Sequence, residues 1–265
     1  MVHDLVDGKQ EAAIRSLITR GRYHEGEGED KTAKKLMDLW SERFATVPEQ
    51  TAIIATTREL CSHFNQEAQR IRSELNLLGA ETIKVKEGSI RVGDRVIFNE
   101  TSKLLDVTSG TLGTVSTIKG SRVKIRSDDG QDIRFSVREY NALSLGYALT
   151  THKSQGMTMD NGLVMAGPNW INKELTYVQL SRFRKETHLF CDAAVAGDDQ
   201  KDLIRRMSKS QVKGTIAEAM VEEMKKEEVK NKRFHDNNQS TDKQSKKTDQ
   251  ETEHQRQKMR MKHQL

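Results

Sequence analysis

Hydrophobic residues recur at helical spacing in the first part of the chain. Between residues 7 and 19 the apolar positions lie three or four residues apart and Gly21 follows them, so the pattern predicts a helix that ends there. Asp30 is a good N-cap for a second predicted helix, one face of which must be buried. The apolar stripe of that helix comprises Ala33, Leu36, Met37, Trp40 and Phe44.

The pattern then changes to a short strand followed by a long helix. Residues 51–56 form an apolar run that predicts a strand buried on both faces, and residues 58–78 predict a helix that Gly79 ends. Thr56, Thr57 and Arg58 lie at the carboxyl end of this strand, the edge at which open α/β sheets bind ligands. The three residues are candidates for contact with a phosphate backbone. The alternative is an ordinary helix N-cap followed by a surface arginine.

From Ile90 the apolar positions alternate with polar ones. The alternation predicts four short strands at residues 94–98, 113–118, 122–126 and 132–137, separated by turn sequences. One of these turns contains Asp129-Gly130, which is typical of a hairpin. Four strands in a stretch of about fifty residues predict a small SH3-like barrel inserted between two parts of an α/β domain.

The α/β pattern resumes after this insertion. Residues 140–148 are compatible with a helix, and the apolar runs at 163–167 and 188–192 predict strands, so the domain is expected to close near Ala194. Further on, Val212, Ile216, Met220 and Met224 repeat every four residues, which indicates either a partner-binding helix or a solvated one. Residues 231–265 have few large apolar side chains and are predicted to be disordered, as a solvated tail or one in loose contact with nucleic acid.

Composition and charge narrow the class of protein. Hydrophobic residues make up 34% of the chain and charged residues 31%, and the net charge of +5 favours a polyanionic partner such as nucleic acid. Cys61 and Cys191 lie far apart, without the spacing of a zinc site or a disulfide framework, and are expected to be buried, reduced thiols. No leader peptide and no long apolar segment is apparent, so we expect a cytoplasmic protein with no membrane partner.

Two polar clusters carry the candidate chemistry. Residues 150–156 read Thr-Thr-His-Lys-Ser-Gln-Gly and combine hydroxyl, imidazole, ammonium and amide groups, which suit phosphate oxygens and sugars. Taken alone, this run is more often a polar helix start with a glycine at a bend. Residues 177–184 read Tyr-Val-Gln-Leu-Ser-Arg-Phe-Arg, which alone is compatible with an amphipathic helix that carries two arginines.

In this order and spacing, the two clusters resemble motifs V and VI of superfamily 1 DNA helicases of the RecD-like branch. The sequence from Gly146 to Gly156, together with the preceding barrel sequence, is most similar to the helicase part of conjugative relaxases of the TraA/MobA type. The resemblance implies an α/β fold with a RecA-like second motor domain (2A) at residues 1–89 and 144–196 and an SH3-like 2B barrel at 90–143. The resemblance covers roughly Asp7 to Asp192; beyond it, the residue pattern predicts a helical extension at 197–230 and a disordered polar tail at 231–265.

The resemblance implies a set of residues that contact nucleic acid. Those in the first cluster, which would line the channel for single-stranded DNA, are Thr151, His152, Lys153 and Ser154. Thr56, Thr57 and Arg58 correspond to the family's motif IV turn, which favours contact with DNA over a purely structural cap.

It also implies a set of residues that respond to the nucleotide. Gln155 and Gly156 would relay nucleotide state to the DNA contact, and Arg182 corresponds to the arginine finger that reaches the γ-phosphate. Tyr177 would pack beneath that arginine, and Arg184 is the second candidate for the same role. No metal-binding residue is predicted.

The sequence departs from the family in one important respect. It contains neither a G-x-x-x-x-G-K-[ST] loop nor an apolar strand that ends in Asp-Glu, so ATP and Mg²⁺ are expected to bind only when an N-terminal ATPase half completes the site. The resulting hypothesis is the DNA-binding and ATP-coupling half of a 5′ to 3′ DNA helicase of a conjugative transfer or mobilisation protein, inactive alone. The alternatives are a stand-alone module that binds single-stranded DNA and a non-functional helicase fragment.

Overall fold

The computed structural model describes residues 4, 5, 7–167 and 171–210 of the chain. Its helices are α1 (Gln10–Thr19), α2 (Glu29–Arg43), α3 (Arg58–Glu74), α4 (Lys173–Leu180), α5 (Ala193–Ala196) and α6 (Lys201–Ser208). Its strands are β1 (Tyr23–Gly26), β2 (Thr51–Ala55), β3 (Thr82–Val85), β4 (Gly88–Arg91), β5 (Arg95–Phe98), β6 (Leu112–Lys119), β7 (Arg122–Ser127), β8 (Asp132–Ser136), β9 (Leu143–Leu145), β10 (Ala148–Thr150), β11 (Met159–Ala166) and β12 (Phe183–Asp192).

A parallel sheet with the order β1-β12-β11-β2-β10 forms the centre of the α/β part. All five residues of β2 are buried, because β10 and β11 pair with its two edges and helices pack over the sheet. Trp40 of α2 and Phe64 of α3 belong to the same buried cluster as Ile53 of β2. The predicted α/β fold, with a buried strand leading into a long helix, is confirmed.

A second sheet is antiparallel and has the order β8-β7-β6-β5-β9, next to a separate β3–β4 hairpin. The four strands expected from the alternating pattern are present as β5 to β8, and Val123, Ile125, Ile133 and Phe135 lie in one buried cluster. The hairpin was not predicted. Closure of these strands into an SH3-like barrel, and the division of the chain into domains, stay predictions.

The expectation of helix at residues 140–148 is wrong. This segment contains β9, whose Leu143 pairs with Phe98 of β5, and it continues directly into β10 of the parallel sheet. Pairing partners more than forty residues away decide the conformation here, and local helix compatibility does not.

Two helix boundaries also differ from the predicted ones. α2 begins after Gly28, which has φ of 87° and is therefore suited to glycine, so Asp30 lies in the first turn and is not the N-cap. α3 ends at Glu74, before the predicted Gly79, because Asn76 adopts a left-handed conformation with φ of 57°. The backbone amide groups of Asn76 and Leu77 donate to carbonyl groups of the last turn, which completes a Schellman motif.

The packed part of the chain extends beyond the expected closure near Ala194. Leu203 and Met207 of α6 are buried, and Arg15 of α1 pairs with Asp199 at 2.9 Å just before α6. The predicted apolar stripe at residues 212–224 and the predicted tail at 231–265 lie outside the described residues. Among the helices that the structure describes, none is long and apolar enough to cross a membrane.

A buried polar network joins the two sheets. Asp94, which precedes β5, is fully buried; its carboxylate accepts hydrogen bonds from the Tyr147 hydroxyl at 2.7 Å, the Gln69 amide at 2.5 Å and the Arg91 backbone amide at 2.6 Å. Burial raises the pKa of the Asp94 carboxyl, and these hydrogen bonds act in the opposite direction. Since the donors come from α3, the hairpin and the segment before β10, the network sets the position of the antiparallel sheet relative to the parallel one.

Candidate nucleic-acid interface

β10 brings the first polar cluster to one edge of the parallel sheet. The strand is short, and Asn65 of α3 supports its free edge: the Asn65 carbonyl oxygen accepts from the backbone amides of Tyr147 and Ala148, both at 2.9 Å. The Asn65 amide also donates to the carbonyl oxygen of Ala148 at 3.0 Å. The side chain thus replaces a neighbouring strand, which holds the residues that follow Thr150 at a defined position.

Residues 151–156 form hydrogen-bonded turns and not the start of a helix. The Ser154 backbone amide donates to the carbonyl oxygen of Thr150 at 3.0 Å, and the Ser154 hydroxyl donates to that of Thr151 at 2.8 Å. Gly156 has φ of 79°, a conformation that favours glycine, so the bend itself explains this glycine. The chain then enters β11 at Met159.

The turn divides its side chains between the interior and the solvent. His152, Lys153 and Gln155 are exposed, whereas Thr151 and Ser154 are buried. The exposed imidazole and ammonium groups are therefore available to a ligand. The hydroxyl of Ser154 lies inside the turn, and its predicted contact with DNA stays a prediction.

A buried hydrogen bond ties the turn to α4. The amide of Gln179 donates to the hydroxyl of Thr151 at 2.9 Å, and both side chains are buried. The N-cap of α4 is Asn172, whose side-chain oxygen accepts from the Leu175 backbone amide at 2.8 Å. The two polar clusters of the sequence are therefore in direct contact.

A cleft of about 810 Å³ brings together both groups of residues predicted to contact nucleic acid. One side is formed by the turn after β2 and the turn after β10; the residues that these turns contribute are Thr56, Thr57, Arg58, Thr151, His152 and Lys153. The antiparallel sheet contributes Ile97, Asn99 and Ser144, and the β3–β4 turn contributes Glu87. The carboxyl ends of β2 and β10 thus meet the inserted sheet across one groove.

Thr57 is the N-cap of α3, as the alternative interpretation expected. Its hydroxyl oxygen accepts a hydrogen bond from the Leu60 backbone amide at 3.2 Å. Thr56 is half-buried, and Arg58 is exposed in the first turn of the helix. The helix N-terminus and the Arg58 guanidinium both favour an anion at this side of the cleft.

The cleft carries charges of both signs. Arg58 and Lys153 are cationic, and Glu59 and Glu87 add two exposed carboxylates. The Lys153 ammonium donates to the side-chain oxygen of Asn99 at 2.8 Å, so its partner is neutral. Cys61 also lines the cleft, but burial raises the pKa of its thiol to about 12, which leaves it protonated and unreactive.

The second polar cluster does not form one continuous helix. α4 ends at Leu180, so the alternative interpretation of residues 177–184 as one amphipathic helix does not hold. Tyr177 is buried within α4; Arg182 lies in the connection to β12 and is also buried, and its backbone carbonyl oxygen accepts from the Met159 amide at 2.9 Å. This bond places Arg182 beside the point where the chain enters β11 after the turn of residues 151–156.

Arg184 occupies a different environment, on β12. Its guanidinium pairs with Asp160 at 2.7 Å, and the Lys185 ammonium pairs with the other carboxylate oxygen at 2.7 Å. Hydrogen bonding to Lys185, together with the nearby Arg184 charge, lowers the pKa of the Asp160 carboxyl. Arg184 lines a second cavity of about 570 Å³ with Met157 and Thr158, which directly follow Gly156.

No family model matches the chain. It is 27% identical over 198 residues to a probable conjugal transfer protein TraA of Sinorhizobium fredii, across 72% of this chain and 18% of that protein. It is 28% identical over 193 residues to the conjugal transfer protein TraA of Agrobacterium fabrum, across 71% of this chain and 17% of that protein. An ATP-dependent RecD2 DNA helicase of Deinococcus radiodurans is 32% identical over 109 residues, which are 40% of this chain and 15% of the helicase.

The chain contains part of a superfamily 1 helicase-like region related to TraA. It spans less than a fifth of the length of the TraA proteins that it matches. Among solved structures, a Pif1 helicase from Bacteroides in complex with ADP-AlF3 and single-stranded DNA aligns with a TM-score of 0.45 at 18% identity, over 71% of this chain and 47% of that one.

Two residues of this helicase-like region were missed by sequence reasoning. Gln179 lies within the second cluster but carries no signal of its own, and Asn99 lies 54 positions before its partner Lys153. Neither spacing nor periodicity marks such residues, because their importance comes from contacts between distant segments. Within the part of the chain that the structure describes, no cluster of potential metal ligands is found.

Proposed function

We propose that this chain is the DNA-binding and ATP-coupling half of an ATP-dependent 5′ to 3′ DNA helicase of a conjugative transfer or mobilisation protein. In this proposal the parallel sheet is a RecA-like second motor domain and the antiparallel strands are its SH3-like insertion. The observation that carries the proposal is the single cleft lined both by the turn at Thr56–Arg58 and by the turn at Thr151–Lys153. The relationship to TraA and RecD2 proteins supports it.

Single-stranded DNA is the proposed occupant of the cleft. Arg58 and Lys153 supply exposed positive charge, and the N-terminus of α3 adds backbone amide groups, which together suit a sugar–phosphate backbone. His152 is exposed beside them and offers a ring for contact with a base or a sugar. Glu59 and Glu87 limit the net charge of the cleft, so a moderate, salt-dependent affinity is expected.

Coupling to ATP is proposed to run through the contact between the two clusters. Gln179 holds Thr151, and three residues later the chain reaches Arg182, the proposed arginine finger. Because this sequence contains no phosphate-binding loop, the nucleotide and Mg²⁺ would be held mainly by a second RecA-like half, supplied in cis or in trans. The state of that nucleotide would be transmitted by Gln155, Gly156 and Tyr177. Arg184 is the second candidate for the arginine finger.

Replacing Lys153 by alanine is expected to weaken binding of a fluorescently labelled oligothymidine by about tenfold near 50 mM salt, because one phosphate contact is lost. For the same reason, the slope of log Kd against log salt should fall by about 0.7. Fluorescence anisotropy over a series of salt concentrations measures both values. Lys34→Ala is the matched control, since Lys34 is exposed on α2 outside the cleft. Equal losses of DNA affinity in Lys153→Ala and Lys34→Ala would refute a DNA site at the turn that carries Lys153.

The purified chain is expected to hydrolyse no ATP, with or without single-stranded DNA, because charge neutralisation at the phosphates comes mostly from a phosphate loop. Addition of an ATPase half that carries such a loop should then produce DNA-stimulated hydrolysis that Arg182→Ala abolishes. A stand-alone DNA-binding module would bind DNA without this restoration, and a non-functional fragment would do neither. Arg182-dependent hydrolysis by the chain alone would contradict the proposal.

A further inference from the structure

Asn99 connects the antiparallel sheet to the proposed DNA-binding turn. It follows β5 directly, and its side-chain oxygen accepts a hydrogen bond from the Lys153 ammonium at 2.8 Å. Asn99 lies on the insertion and Lys153 on the turn after β10, so the bond crosses the cleft. It therefore determines where a flexible lysine side chain rests.

The backbone of Asn99 is held on both sides. Its amide donates to the carbonyl oxygen of Ala142 at 2.8 Å, and its carbonyl oxygen accepts from the Ser109 hydroxyl at 2.9 Å. The side chain thus starts from a fixed point on the rim of the insertion. A residue so supported can orient a partner at little further entropic cost.

The orientation of the Asn99 side chain is also determined. Its NH₂ group donates to the Ser144 hydroxyl at 3.0 Å and lies 3.5 Å from a carboxylate oxygen of Glu87. Lysine has only donors, so the Asn99 oxygen must face Lys153 and the NH₂ group must face the acceptors. The hydrogen-bond network allows one amide orientation.

A neutral acceptor is the suitable partner for a cation that must still bind an anion. One of the three N–H groups of the Lys153 ammonium is used by Asn99, which leaves two for a ligand and leaves the charge uncompensated. The Asn99 amide also separates the Glu87 carboxylate from the ammonium. A direct Lys153–Glu87 ion pair would cancel the charge instead.

We propose that Asn99 is a positioning residue that holds the Lys153 ammonium, still charged, in place for a phosphate of single-stranded DNA. This inference rests on the proposed function of the cleft and assigns the inserted sheet an indirect part in DNA affinity. Asn99 need not touch DNA. Its effect passes through Lys153 alone.

A double-mutant cycle on the full chain tests this assignment. Asn99→Ala should raise the Kd for oligothymidine about threefold to tenfold, the range of one hydrogen bond. The salt slope should stay unchanged, since the charge of Lys153 remains. In the Lys153→Ala background the same substitution should have no effect. Asn99→Asp should weaken binding more than alanine does and should also lower the salt slope, because a carboxylate neutralises the ammonium and repels phosphate.

The control is Asn141→Ala, an exposed asparagine beside β9 that lies outside the cleft. It should leave Kd unchanged, and thermal unfolding of every variant shows whether the fold is retained. The assignment is overturned if Asn99→Ala has no effect while Lys153→Ala weakens binding, or if the two losses add fully. Failure of the wild-type chain to bind DNA, or a Lys153→Ala variant that binds normally, overturns the proposed function of the cleft together with this assignment.

Discussion

Replacement of Asp94 by alanine is expected to lower the free energy of unfolding by about 3 to 5 kcal/mol, since one buried and two half-buried donors lose their acceptor at once. The Tyr147 hydroxyl is the most affected of them, because its ring is enclosed by Trp40 at 5.8 Å between ring centroids and by Arg72. A loss of this size is a large fraction of the stability of an ordinary domain. Urea unfolding, followed by circular dichroism, measures it.

Two further variants show whether the network is responsible. Asp94→Asn should cost clearly less than Asp94→Ala, because an amide oxygen can still accept from Gln69 and Arg91 while its NH₂ group donates to the Tyr147 hydroxyl. Asp38→Ala, which removes an exposed partner of Lys34, should change stability by less than about 0.5 kcal/mol. An Asp94→Ala variant as stable as Asp38→Ala would show that the network contributes little.

Replacement of Gln179 by alanine is expected to lower the free energy of unfolding by about 2 kcal/mol, because it removes a buried hydrogen bond and leaves a small cavity. The same change should weaken DNA binding several-fold, since the turn that carries His152 and Lys153 loses its tie to α4. Chemical unfolding and fluorescence anisotropy on the same preparation measure the two effects.

Thr151 supplies the complementary variant. Thr151→Val removes the same bond from the other side, so the double variant with Gln179→Ala should be less destabilised than the sum of the single variants. Because the Thr151 hydroxyl is engaged by Gln179, Thr151→Val should also leave the salt slope of DNA binding unchanged. A fully additive cycle would show that the bond does not couple the two motifs.

Much of the fold can be predicted from local patterns. The apolar run at residues 51–55, the alternation in β5 to β8 and the stripe around Trp40 each specify an element without reference to the rest of the chain. They do so because burial imposes a period of two on strands and of 3.6 on helices. Turn sequences such as Asp129-Gly130 then mark where strands end.

Elements without such a pattern were predicted wrongly or not at all. β9 and β10 are three residues each, too short to show a period, and they exist because β5, β2 and Asn65 supply their hydrogen-bond partners. The end of α3 at Glu74 depends on Asn76, which adopts a left-handed conformation. Helix ends of this kind are usually marked in the sequence by glycine, so asparagine gives a weaker signal. In each case a tertiary or backbone effect outweighs the local propensity.

The candidate site shows the same division. By itself the sequence determined the chemistry: the hydroxyl, imidazole and ammonium groups after β10, the cation after β2, and the relationship to helicase motifs. Only the tertiary structure decided which of them share a cleft, that Thr151 and Ser154 face inward, and that Asn99 and Gln179 are the partners of Lys153 and Thr151. The physical reason is that donor and acceptor types are properties of single residues, whereas hydrogen bonds between segments 28 and 54 positions apart exist only after the chain has folded.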